Sequence, residues 1–85
     1  MIILLEEHFK TLLDGLYERK EEYTLSLIKI APDGLNCVGW GVFIKTEHTT
    51  ARLRYIYQDR AKALAKLDSL LPTSSIIHIT TEVHA

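Results

Sequence analysis

The sequence predicts an α+β domain folded as a two-layer sandwich, with its elements in the order α-β-β-β-α-β. Two apolar stripes at helical spacing, one early and one late in the chain, predict two helices that each bury a single face. Three short runs rich in β-branched and aromatic residues lie between them, and a fourth follows the second stripe. Helices with one apolar stripe each pack together on one face of a single sheet.

The first helix rests on Leu5, Phe9, Leu12, Leu13 and Leu16, which recur at i, i+4, i+7, i+8 and i+11. Glu6 and Glu7 stand near its start and Arg19 and Lys20 near its end, the order favoured by the helix dipole. Gly15 predicts fraying of its last turn. Residues 23–30 read as the first strand. Ala31-Pro32-Asp33-Gly34 then supplies a turn, because proline presets one corner and glycine accepts positive φ. The second strand, residues 36–45, completes a hairpin.

A polar connection, Thr46-Glu47-His48-Thr49-Thr50, leads to a third strand over residues 51–58. There Leu53, Tyr55 and Tyr57 alternate with Arg52, Arg54 and Ile56. Asp59 is an N-cap for the second helix, residues 60–71, whose stripe is Ala61, Leu64, Leu67 and Leu71. Pro72 ends it. Residues 76–83 form the fourth strand. The first three strands make an antiparallel meander. The second helix returns the chain so that the last strand lies beside the first and parallel to the third.

Eighty-five residues accommodate one domain, residues 1–85, with a single core. A net charge of −1 gives no overall basic surplus for phosphate binding. The apolar opening run is too short for a signal h-region or a membrane span, and glutamates follow it, so no membrane association is expected. Cys37 is the sole cysteine and has no partner for an intrachain disulfide, which points to a reduced, cytoplasmic setting. In so small a domain, without disulfides, dimerisation is an expected further source of stability.

Gly39-Trp40-Gly41 marks the functional question. Val38, Trp40, Val42 and Ile44 share one strand face, while Cys37, Gly39, Gly41 and Phe43 share the other. The first set joins a predicted core with Tyr23, Leu25, Leu27, Leu53, Tyr55, Tyr57, Ile77, Ile79 and Val83. The opposite face carries Thr24, Ser26, Ile28, Gly39, Gly41, Phe43, Arg52, Arg54, Ile56, His78, Thr80, Glu82 and His84. The glycines leave backbone open to close approach. Ile28, Phe43 and Ile56 form an apolar cluster of the kind that marks a partner surface, unless the three shield one another.

Groups with chemical potential are few. His78, Glu82 and His84 share a strand face, but His78 and His84 stand roughly 20 Å apart along a strand, too far for one metal ion. A solvated face is the expected reading, with no metal and no cofactor. Arg52 and Arg54 suit a carboxylate or phosphate, or else pair with acidic neighbours such as Glu82. Cys37 and the histidines fall in no nucleophile elbow, P-loop or HExxH pattern, so no catalytic residue is assigned. The leading helix-and-strand order matches that of double-stranded RNA-binding domains, yet their Gly-Pro-x-His loop and lysine pair are absent. Trp40-Gly41 is followed by Val42, not by the arginine of a WGR domain.

The expected function is therefore a small, non-enzymatic protein-interaction domain. Its surface is Ile28, Gly39, Gly41, Phe43, Arg52, Arg54, Ile56 and His78. The expected partner is a second copy or another protein, met through the open sheet face or the last strand's edge. One alternative is a nucleic-acid-binding module using Arg52, Arg54, Arg60, Lys62 and Lys66. Another is a small-ligand or anion site over the glycine floor, closed by the arginines and His78.

Overall fold

The structure, a computed structural model, describes residues 1–30 and 39–72 in full and the strand Ile79–His84 by its backbone. Its elements are β1 (Ile2–Leu4), α1 (Glu6–Arg19), β2 (Thr24–Ile30), β3 (Gly39–Lys45), β4 (Thr50–Leu53), α2 (Arg60–Leu70) and β5 (Ile79–His84). The expected α-β-β-β-α-β order is present, with one more strand, β1, in front of it. Ala31 to Val38, including the Pro-Asp-Gly turn and Cys37, lie outside the described residues, as do residues 73–78 with His78.

The strands form one sheet in the order β1-β4-β3-β2-β5. β2, β3 and β4 are the antiparallel meander, and β5 runs parallel to β2 on its free side. β1 lies parallel to β4 at the opposite edge, with Ile3 opposite Arg52 and Leu4 opposite Leu53. Three residues are too few to show a period, so β1 leaves no alternation signal. What places it is pairing: Arg54 N–H donates to Leu4 O at 2.8 Å.

Register explains the core. Leu25 faces Ile44, Leu27 faces Val42 and Ile44 faces Ala51, so one sheet face collects these residues and Leu53. Phe9, Leu13 and Leu16 of α1 and Ala63, Leu67 and Leu70 of α2 cover them, so both helices lie on the same side. No polar or charged side chain is buried among the described residues. Such a core holds by apolar burial alone, at about 1.5–3 kcal/mol for each large side chain.

Several expectations change. Leu5 is the N-cap of α1, not a core member, and is largely exposed. On α2 the stripe turns by one position. Ala63, Leu67 and Leu70 are buried, Leu64 and Leu71 pack at the rim, and Ala61 is exposed. The third strand ends at Leu53 instead of running to residue 58. The chain bends outward at Arg54 and Tyr55, so Tyr55 lies outside the core, 68% exposed. Tyr57 returns to β3 and packs against the core with Trp40 and Tyr23.

The helix ends follow local chemistry. Asp59 caps α2, its carboxylate accepting from Lys62 N–H at 2.9 Å. α1 runs unbroken through Gly15 and stops at Lys20, which adopts the left-handed conformation at φ 56°. Glu21 N–H donates to Leu16 O at 3.0 Å and Lys20 N–H to Tyr17 O at 3.2 Å, the paired closure of a Schellman motif. That closure, with Leu16 anchored in the core, keeps the last turn formed despite the glycine.

Candidate interaction surface

With both helices on one side, no helix among the described residues lies over the other side of the sheet. Its strands present side chains in cross-strand rows. The central row is Ile3, Arg52, Phe43 and Ser26, drawn in turn from β1, β4, β3 and β2. Beside it, Ile28 faces Gly41, and Ile30 faces Gly39. On the other side, Lys45 stands between Thr24 and Thr50. The face thus mixes apolar residues with Arg52 and Ser26 in its central row and is polar at one margin.

The glycines are filled in by their own neighbours. A Cβ placed on Gly41 would meet Ile30 Cδ1 and Phe43 Cε1 at 2.9 Å and Arg52 Cδ at 3.4 Å. One on Gly39 would meet Ile56 Cγ2 at 2.6 Å and the Tyr57 backbone. Both glycines are buried. Their lack of side chains lets Phe43, Ile30, Ile56 and the stem of Arg52 lie down on the sheet. The chain itself makes the close approach expected at this backbone, and the outward surface consists of the covering side chains.

Arg52 is the electrostatic centre of the face. Its stem is half-buried along Gly41, and its Nε is buried with no hydrogen-bond partner among the described residues. An unmet buried donor costs about 1–3 kcal/mol, and more on a charged group. Glu82 is not a cross-strand neighbour of Arg52, because β5 stands three strands from β4, roughly 14 Å at ordinary strand spacing. On β1 to β4, the charged strand residues of this face are Arg52 and Lys45.

No protein-family model, curated protein or solved structure matches this chain. The surface chemistry must therefore carry the functional reading.

Of the expected surface residues, Ile28, Gly41, Phe43 and Arg52 adjoin one another, and Gly39 with Ile56 extends the patch at one end. Arg54 departs from it. It lines an open cleft of about 560 Å³ with Leu5, Glu6, Leu53, Tyr55, Ile56 and Tyr57. The Tyr55 and Tyr57 rings are 4.8 Å apart there, and burial, then the charge of Glu6, then Tyr55 raise the Tyr57 pKa. The five cations considered for nucleic acid do not converge. Arg52 is on the open face, whereas Arg60, Lys62 and Lys66 belong to α2 on the other side. Lys66 Nζ meets Glu6 Oε2 at 3.1 Å, and Lys62 Nζ donates to Gln58 Oε1 at 3.1 Å.

Sequence reasoning missed the contribution of β1. Met1, Ile2, Ile3 and Leu5 are 72%, 51%, 54% and 43% exposed and lie along one sheet edge. The legible signal was the unbroken apolar run before Glu6, with β-branched Ile2 and Ile3 inside it. No group of three or more His, Cys, Asp or Glu that suits a metal ion occurs among the described residues. No helix among them is long and apolar enough to cross a membrane.

Proposed function

We propose that this chain is a non-enzymatic protein-interaction domain whose contacts are the helix-free side of its sheet and the β1 edge. The observation that supports it is the row Ile3, Arg52, Phe43 and Ser26, over which no helix among the described residues lies and which is continuous with the exposed apolar strand β1. An edge strand carries unpaired backbone donors and acceptors along its outer side. Here that edge is also apolar, without the lysine or proline that keeps edges apart. A second copy adding its own β1 across a two-fold axis would extend the sheet and cover Ile2 and Ile3.

Light scattering across micromolar to millimolar protein concentration tests the self-association. The expected outcome is a monomer–dimer equilibrium that Ile3→Lys moves fully to monomer, with its circular dichroism unchanged. A strictly monomeric wild type would remove self-pairing from the proposal. It would leave the sheet face for a different protein.

A further inference from the structure

We infer that two copies of this chain pair antiparallel along β1 with the two-fold axis at Ile3, so that Met1 of each copy packs on Leu5 of the other beside the Tyr55 cleft. The inference rests on reading the β1 edge as a self-contact and adds its register and the residues that meet across it.

Backbone direction fixes the axis. Along a strand, the N–H and C=O of one residue point to one edge and those of the next residue to the other. Leu4 O accepts from Arg54 N–H, so Leu4 and Ile2 turn their backbone groups towards β4. Ile3, between them, turns both of its groups outward, and β1 ends the sheet among the described strands. Leu5 is still extended, at φ −70° and ψ 160°, but its carbonyl is taken by Phe9 N–H at 2.9 Å. The strand thus offers one complete donor–acceptor pair at its free edge, on Ile3. An antiparallel partner uses such a residue as a hydrogen-bonded pair, in which the two residues exchange both bonds. A second copy supplies the same pair on its own Ile3, which places the axis there.

Side chains agree with that register. Ile3 meets Ile3, Ile2 meets Leu4 and Met1 meets Leu5, so each exposed apolar side chain of the edge finds an apolar counterpart. Residues 1–5 carry no charge, and no like charges oppose each other along the paired strands. Arg52 and its copy would stand three strand spacings apart, roughly 14 Å, beyond the Debye length in physiological salt. Leu5 also lines the open cleft with the exposed Tyr55, so Met1 of the partner comes to lie at its mouth. A second copy is the occupant these matches select, because the chain itself carries the complementary strand. One short strand buries less than the roughly 1,200 Å² of a stable interface, so the dimer is expected to be weak.

The test is disulfide trapping at millimolar protein under oxidised glutathione, in the full chain with Cys37→Ser so that one thiol is present. Ile3→Cys sets two thiols on the axis, with Cα atoms about 5.5 Å apart and within disulfide reach. Ile2→Cys sets them roughly 8 Å apart, beyond that reach. Ile3→Cys is therefore expected to cross-link at least about tenfold faster than Ile2→Cys. The wild-type chain gives a second readout that needs no variant. In a sample mixed from isotope-labelled and unlabelled copies, the Met1 methyl of one should show magnetisation transfer to the Leu5 methyls of the other.

The outcomes separate the register from the reading beneath it. Faster trapping at Ile2→Cys, or transfer from Met1 to Ile3 instead of Leu5, would overturn the register and keep the β1 edge as the self-contact. A dimer by light scattering that neither variant traps would place self-association on another surface, and both would fall. A chain that stays monomeric at millimolar concentration and gives no trapped dimer would likewise remove both.

Discussion

Tyr57 and Trp40 exchange two backbone hydrogen bonds, Trp40 N–H to Tyr57 O at 2.6 Å and Tyr57 N–H to Trp40 O at 2.8 Å. This pair rejoins the chain to β3 after β4 has ended at Leu53, and so sets where α2 begins. Ile56, one residue earlier, is thereby laid over Gly39 on the open face.

Gly39 makes that return possible. Its φ of +155° and the Tyr57 carbonyl against its Cα leave no room for a Cβ. Gly39→Ala is expected to cost at least about 2 kcal/mol, from backbone strain plus displacement of Tyr57. Urea denaturation measures it. A midpoint equal to wild type would mean that the 54–57 segment shifts freely and does not lock the sheet.

Lys20 occupies a position that favours glycine. A non-glycine residue in the left-handed region costs about 1 kcal/mol, and Lys20 closes the Schellman motif at φ 56°. Lys20→Gly should therefore raise stability by about 0.5–1 kcal/mol. A higher thermal midpoint with unchanged helical signal is the expected result, and a lower one would show that the Lys20 side chain contributes more than its backbone strain costs.

Stability should fall at high pH. Burial raises the pKa of Tyr23, and burial, Glu6 and Tyr55 raise that of Tyr57. Each phenol then holds its proton more tightly folded than unfolded. The stability it contributes is full below the ordinary tyrosine pKa of about 10 and declines as pH rises from there through the folded value. Urea midpoints taken on either side of that pH should show the decline, and Tyr57→Phe should reduce its steepness. An identical slope in the variant would assign the effect to other groups.

Much of the fold was readable because its signals are local. Phe9, Leu13 and Leu16 recur at helical spacing, Asp59 caps α2, and Leu25, Leu27, Val42 and Ile44 alternate as buried strand residues do. Tyr55 was misread for the same reason. It continues the alternation of Leu53, but whether a strand continues depends on partner hydrogen bonds, which alternation does not encode. After Leu53 the chain leaves β3, its Arg54 N–H taking Leu4 O instead.

The candidate surface divides along the same line. Alternation alone placed Ile28, Phe43 and Arg52 on one face and identified Gly39 and Gly41 as its gaps. Only the tertiary structure showed what fills those gaps, because the covering atoms come from Ile30, Phe43, Arg52 and Ile56 on four different chain segments. Only it added Ile3, through a three-residue strand held by parallel pairing to β4. By itself the sequence determined the α+β layers, through periodicities confined to each segment. Strand pairing between distant segments decided where the sheet ends and which apolar residues stay outside it, and laid the Arg52 stem along Gly41 with its Nε buried.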